Sequence, residues 1–176
     1  MSPEMDLETL ALNLCRTVEA AAARLAEIDE ARASTPRAPG KWSPKQVLGH
    51  LVDSACNNHR RFVLARSQDD LDFPGYDENA WMEAQGWERA HWHDLVELWR
   101  LYNLHLSRVI AETPPAAAHT PRERHSLDRI AWRALPAERP ATLAQLMADY
   151  VGHLRHHLAQ ALAGSPAPLA VEDLAP

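Results

Sequence analysis

Apolar residues recur along this chain at three-, four- and seven-residue steps, the period of a helix that buries one face. Leu7, Leu10, Leu14, Val18, Leu25 and Ile28 trace such a stripe from Leu7 to about Ala31, with no proline or glycine to break it. Ser2-Pro3 offers this helix a start, since proline is tolerated in a first turn. Ala20 to Ala23 favour helix and permit a close neighbour. Pro36, Pro39 and Gly40 then mark a linker. Ser43-Pro44-Lys45-Gln46 follows: an N-cap, a proline at the first helical position, and the glutamine of a capping box.

The second helix runs to about Arg66, with Val47, Leu48, Leu51, Val52, Ala55 and Phe62 inward and His50 at the border of that side. Ser67 to Tyr76 reads as loop, and Asp77 to about Gln85 as a short helix carrying Trp81. A third long helix spans roughly Glu88 to Glu112, with Leu95, Leu98, Tyr102, Leu106 and Val109 inward, until Thr113-Pro114-Pro115 stops it. Thr120-Pro121-Arg122-Glu123 opens a short helix to about Ala134. Thr142 with Gln145 caps the last helix, which reaches Leu162. No stretch alternates as a surface strand does. The pattern predicts an all-α protein, a four-helix bundle with short additional helices in its long loops. Residues 1–162 read as one domain and 163–176 as a loosely attached, proline-containing tail.

Composition narrows the function. A chain of 176 residues can bury one sizeable core. The formal charge is −6 and no lysine/arginine stripe stands out, which argues against nucleic acid or an anionic membrane as partner. There is no apolar run of transmembrane length. The start has acidic residues and no basic region, unlike a signal peptide. Cys15 and Cys56 fit two buried free thiols in a reducing cytoplasm.

Chemistry concentrates in the last helix. His153 and His157 lie on one face, which also carries Leu143, Leu146, Met147, Tyr150 and Leu154. Imidazoles aimed at a core without partners cost free energy. They either bond water and backbone as boundary histidines, or hold a divalent metal together with His50 of the second helix. Neutral imidazole suits zinc, nickel and iron. Three protein nitrogens with one open position mark a catalytic site, whereas structural sites are closed by four. His156 competes with His157 but turns off the Tyr150/Leu154 face. Asp149 and Asp53 either orient a ring or face solvent; Gln160 either reaches the cavity or is a surface amide. Trp42, Tyr76 and Trp81 fall where they could rim a pocket, while the other tryptophans should pack. His91 and His93 share no face, His105 suits a boundary, and His119 and His125 flank the late short helix. HExxH, a glycine-rich phosphate loop and GxSxG are all absent. So are Glu-x-x-His pairs for a di-iron centre.

Three blocks occur in family order: Gly40 to Ser54 with Arg60-Arg61-Phe62, Pro74 to Trp81, and Asp149 to Gln160. On these the chain resembles the DinB-like superfamily, in particular the group related to bacillithiol and mycothiol S-transferases. The resemblance implies a left-handed, up-down-down-up four-helix bundle. It implies a metal triad on His50, His153 and His157, holding zinc or nickel, and frequent homodimers. In the thiol-transferase relatives the ion activates the thiol of a low-molecular-weight cofactor. Some relatives carry a further histidine where this chain has Gln160, which weakens direct transfer of their activity. The expectation is a cytoplasmic, metal-dependent enzyme, a thiol S-transferase or a hydrolase, acting on a small-molecule substrate. The alternative is a non-catalytic, metal-stabilised bundle that binds a ligand or a protein partner.

Overall fold

A computed structural model describes residues 6–163 of the chain. Its helices are α1 (Leu7–Leu25), α2 (Glu30–Ala33), α3 (Pro44–Leu64), α4 (Glu78–Gln85), α5 (Trp92–Ala111), α6 (Pro115–His119), α7 (Leu127–Ile130) and α8 (Leu143–Ala161), with a 3-10 turn at Trp87–Arg89. Four are long and form the bundle; the others lie in its connections. No helix among the described residues is long and apolar enough to cross a membrane.

Side-chain contacts fix the directions. Trp92 Nε1 donates to the Leu25 carbonyl at 2.9 Å and Arg100 reaches Glu19, so α5 runs antiparallel to α1. His59 meets Tyr102 and His105, and Arg66 donates to Thr113 Oγ1, so α3 and α5 are parallel. His50 meets His153 and His157 while Phe62 meets Tyr150, so α8 returns antiparallel to α3. Arg155 donates to Thr17 beside a groove shared by Asn13 and Val151, so α8 is parallel to α1. The order is up-down-down-up, with α1 and α3 on one diagonal and α5 and α8 on the other. The Tyr150 hydroxyl crosses the centre to donate to Asn103.

The caps of α3 and α8 form as the sequence predicts. Ser43 with Gln46 and Thr142 with Gln145 both make reciprocal capping boxes. Elsewhere tertiary contacts override local preference. The first helix ends at Leu25 and not near Ala31, because the Trp92 indole takes the Leu25 carbonyl and Asp29 caps the separate turn α2. Its described start is Leu7 with Asp6 as N-cap; Ser2-Pro3 lies outside the described residues. The third helix begins at Trp92, where the Glu30 carboxylate accepts its first N–H at 2.9 Å. Glu30 also pairs with Lys45, which is only 2% exposed, so α2 ties α3 to α5. The inward face of α5 is rotated from the predicted one: Leu98 is exposed, and Trp92, Trp99, Asn103 and Ile110 are buried.

The helix predicted from Thr120 to Ala134 is not formed. Within that span only α7 is helical; α6 ends before it at His119, and the backbone between the two is extended, with Arg122 paired to Ala141 and His125 to Leu71. Those long-range bridges satisfy backbone groups that a helix would have used. Cys15 is half-buried and Cys56 exposed, so the thiols are free but not buried. The expected C-terminal tail lies, from residue 164 on, outside the described residues.

Gly49 lets the helix–loop packing close. A Cβ there would fall against the Cβ and ring of Trp87, whose Nε1 donates to Asp53 at 3.0 Å. Gly49→Ala gains up to about 1 kcal/mol of helix propensity. Overpacking against the root of a tethered indole costs about 1–3 kcal/mol. The clash should win: urea unfolding should show Gly49→Ala less stable by about 1–2 kcal/mol, and a more stable variant would contradict this packing.

Candidate metal centre

His50 sits in the second turn of α3, on the same buried side as Leu51 and Val47. His153 and His157 project from adjacent turns of α8. Because α3 and α8 are antiparallel, the start of one meets the end of the other, and the three rings converge. Ring centroids lie 5.1 Å apart for His50–His153, 4.8 Å for His50–His157 and 4.5 Å for His153–His157. One ring nitrogen from each falls within 4.8 Å of the others, and His50 Nε2 is 3.2 Å from His153 Nε2. Tetrahedral ligands at zinc–nitrogen distances stand about 3.3 Å apart. One proton can bridge one pair of nitrogens and leaves the lone pair of the third without a partner; a cation satisfies all three.

The protonation state suits such an ion. Burial depresses the His50 pKa to about 4, helped by His157, and the His153 pKa to about 3, helped by His157 and His50. Burial also lowers His157, against the opposing bond to Gln160. All three rings are neutral at pH 7 and offer lone pairs, as ligands must. Their other nitrogens are partly spoken for. His157 Nδ1 lies 2.9 Å from Gln160 Oε1, which leaves Nε2 as its free donor atom. His153 Nδ1 lies 3.4 Å from Ser54 Oγ. Trp42 packs on His50 with centroids 5.2 Å apart, and Trp132 lies 6.4 Å from His153.

The other predicted residues take different places. His156 is exposed; it packs on Trp132 and meets Gln160 Nε2 at 2.9 Å, outside the cluster. Gln160 is exposed, yet it orients His157. Asp149 neither orients a ring nor faces open solvent: it accepts the backbone N–H groups of Trp132 and Arg133 at 2.8 Å each. Asp53 is turned to Trp87 and Gln85. Burial raises the pKa of both carboxyls. Tyr76 lines the cavity beside His153, Trp42 flanks the cluster through His50, and Trp81 stands behind Tyr76 at 5.2 Å. His125 is buried and bonds Arg139 O and Leu127 N, a structural duty.

Sequence reasoning placed Tyr76 at a pocket but missed the rest of the cavity wall. Next to His153 lies a cavity of about 180 Å³ lined by Ser54, Asn58 and Arg61 of α3, by Tyr76, and by Trp132 and Tyr150. His50, Ser54, Asn58 and Arg61 form a polar seam down an otherwise apolar side of α3, a signal visible in the sequence. The loop residues carry no such periodic signal.

A family model described as the DinB superfamily matches residues 13–161. A Bacillus mycoides protein named "putative metal-dependent hydrolase" is 31% identical over 78 residues, which is 44% of this chain and 41% of that protein. A Bacillus cereus protein named in the same words is 35% identical over 57 residues, 32% of this chain and 33% of that one. The chain thus matches well under two thirds of the length of these relatives. Among solved structures, one is described as "YfiT from Bacillus subtilis is a probable metal-dependent hydrolase with an unusual four-helix bundle topology". It superposes with a TM-score of 0.71 at 20% identity, covering 90% of this chain and 87% of the other, a likeness of fold.

The neutral imidazoles, His50 buried and His153 half-buried, should make the metal-free protein acid-sensitive. In the unfolded chain they take protons near pH 6.5, whereas the folded state resists until pH 4 for His50 and 3 for His153. The unfolded state therefore binds more protons in that window, and stability falls as pH drops from 6.5 to about 4. His50 alone should contribute a loss of about 3 kcal/mol. Urea midpoints of chelator-treated protein, measured from pH 7.5 to 4, test this; a flat profile would place the rings in solvent.

Proposed function

The chain belongs to the DinB superfamily, and we propose that it is an enzyme whose divalent metal is held by His50, His153 and His157. The observation that carries this reading is the convergence of three neutral imidazoles at the end of a small polar cavity. Among the described residues the cluster offers three donors, the number that leaves a coordination position for substrate. A closed structural site would want a fourth. Zinc and nickel are the ions we assign, since the donors are all borderline imidazole nitrogens with no carboxylate among them.

A divalent ion bound here supplies Lewis acidity, which brings a water or a thiol to its deprotonated form near neutral pH. The protein's own groups do the rest. Gln160 holds His157 by its Nδ1, and Ser54 stands by His153 Nδ1, so both rings present their Nε2. Trp42 packs on His50, and Trp132 stands on the cavity wall beside His153. Tyr76 is kept protonated by burial and stands on the cavity wall as a hydrogen-bond donor to substrate.

Two reactions use such a site. Hydrolysis of a small substrate is favoured by the names of the relatives. Transfer of a low-molecular-weight thiol to an electrophile is favoured by the likeness of the His50 and His153 segments to the bacillithiol and mycothiol S-transferases. We read residues 1–162 as a single domain with a C-terminal tail at 163–176, acting in the cytoplasm as a homodimer. The non-catalytic alternative, a metal-stabilised bundle that binds a ligand or a protein partner, predicts a coordinatively closed ion.

Elemental analysis of protein purified without a metal-affinity tag should find about one zinc or nickel per chain, and His153→Ala should lose it. Gln160→Leu should retain metal but bind it about tenfold more weakly. Metal kept in full by His153→Ala would falsify the assignment. Metal-loaded protein is then assayed on model esters and amides, and on glutathione, cysteine and coenzyme A with a chromogenic electrophile. Turnover in one set, lost in His153→Ala, selects the reaction; none in either selects the binding module.

A further inference from the structure

Arg61 is a buried cation with no anionic partner among the described residues. It lies on α3 at 5% exposure, inside the bundle and on the wall of the cavity that abuts His153. Its Nη1 donates to Asn58 Oδ1 at 3.4 Å and its Nη2 to the Pro74 carbonyl at 2.9 Å. Both acceptors are neutral. Among the described residues no carboxylate forms an ion pair with Arg61. The Tyr76 phenol shares the cavity wall with it, but burial keeps that phenol protonated and so unable to act as counter-ion.

A guanidinium taken out of water without a carboxylate is costly, because neutral acceptors replace only part of its hydration. A guanidinium has five N–H donors in a planar fork, and the two bonds above leave others for a ligand. The carboxylates nearest the cavity do not fill this role. Both oxygens of Asp149 are taken by the Trp132 and Arg133 amides, and Glu78 is exposed at the rim. Arg129, also on the rim, pairs outward with Asp72 and Asp128. The cavity wall therefore carries both the Arg61 guanidinium, which has no carboxylate partner among the described residues, and His153 of the imidazole cluster.

We propose that Arg61 anchors the substrate of this site, and that the substrate carries a carboxylate which fills the cavity between Arg61 and the histidines. This rests on the reading of the cluster as the reacting centre and adds the class of molecule it acts on. The fork of Arg61 takes the carboxylate through two parallel N–H donors, the geometry for which arginine is suited and lysine is not. Asn58 and the Pro74 carbonyl hold the guanidinium plane, and Ser54 and Tyr76 contact the body of the ligand. Arg61 thereby selects acids over neutral analogues of the same shape and fixes which end of the substrate faces the rings.

Chelator-treated protein isolates this role, because a bound ion would itself attract carboxylates. Calorimetric titration of the metal-free protein with acetate, succinate and benzoate, each beside its amide, measures the preference for charge. At least one acid should bind roughly tenfold tighter than its amide. Arg61→Met should abolish that difference while Arg61→Lys keeps part of it. Equal binding of acid and amide by the wild type, or no binding of any acid up to about 10 mM, overturns the assignment. Should Arg61→Met fail to fold, a crystal structure of the wild type with the tightest acid decides: a carboxylate on the Arg61 fork supports the proposal, and one elsewhere overturns it. Zinc titration of the same sample, read separately, reports on the histidines, so loss of one reading leaves the other intact.

Discussion

The structure depends on one constraint: two of its four neighbouring helix pairs run parallel. α3 lies parallel to α5 and α1 parallel to α8. A tight turn can join only antiparallel neighbours, so each connection must travel the length of the bundle or cross its diagonal. The chain between α3 and α5 and that between α5 and α8 therefore become substantial segments with short helices of their own. These segments are pinned to each other by the Leu71–His125 bridge and to α8 by Asp149. They bring Tyr76 and Trp132 to the cavity between α3 and α8, and Trp87 against Gly49 and Asp53 of α3. A simple up-and-down bundle with short loops would leave the same histidines under open solvent.

Within that frame the acidic residues near the site serve architecture. Asp53 and Asp149 flank the histidines in sequence, yet each is consumed by loop N–H groups. This keeps carboxylates out of the donor set. An ion bound by three neutral rings retains its full charge, which strengthens its acidity toward a fourth ligand. The same division of labour leaves Arg61 uncompensated. Helix α3 then carries the proposed ligand, wall and proposed anchor in one line, His50, Ser54, Asn58 and Arg61, while its apolar residues pack in the core.

What was legible in the sequence follows from the range of the forces involved. Helix α8 was readable in full, because its cap, its stripe and its two histidines are all set by local periodicity. The all-α class was readable for the same reason. The end of α1 and the phase of α5 were not. Leu98 has the hydropathy of a core residue but is exposed, since two bulky indoles, Trp92 and Trp99, take the interior and rotate the helix. The Arg122–Ala141 and Leu71–His125 pairings join residues far apart in the chain, and no window of sequence contains them. The cavity was hidden likewise: half of its wall comes from loops whose position is decided by those pairings.

The choice between His156 and His157 shows how a surface residue can settle an interior one. Both lie within one turn of His153, and spacing alone only favours His157. Gln160 stands one turn further on and engages both rings, its oxygen toward His157 Nδ1 and its nitrogen toward His156 Nε2. An Nδ1 that donates to an amide oxygen fixes the tautomer, so His157 is left with an unprotonated Nε2 directed at His50 and His153. His156 is drawn the other way, against Trp132. A histidine in place of Gln160 would compete for the centre as a further ligand. The amide instead holds one ring in and one ring out, and keeps the donor set at three.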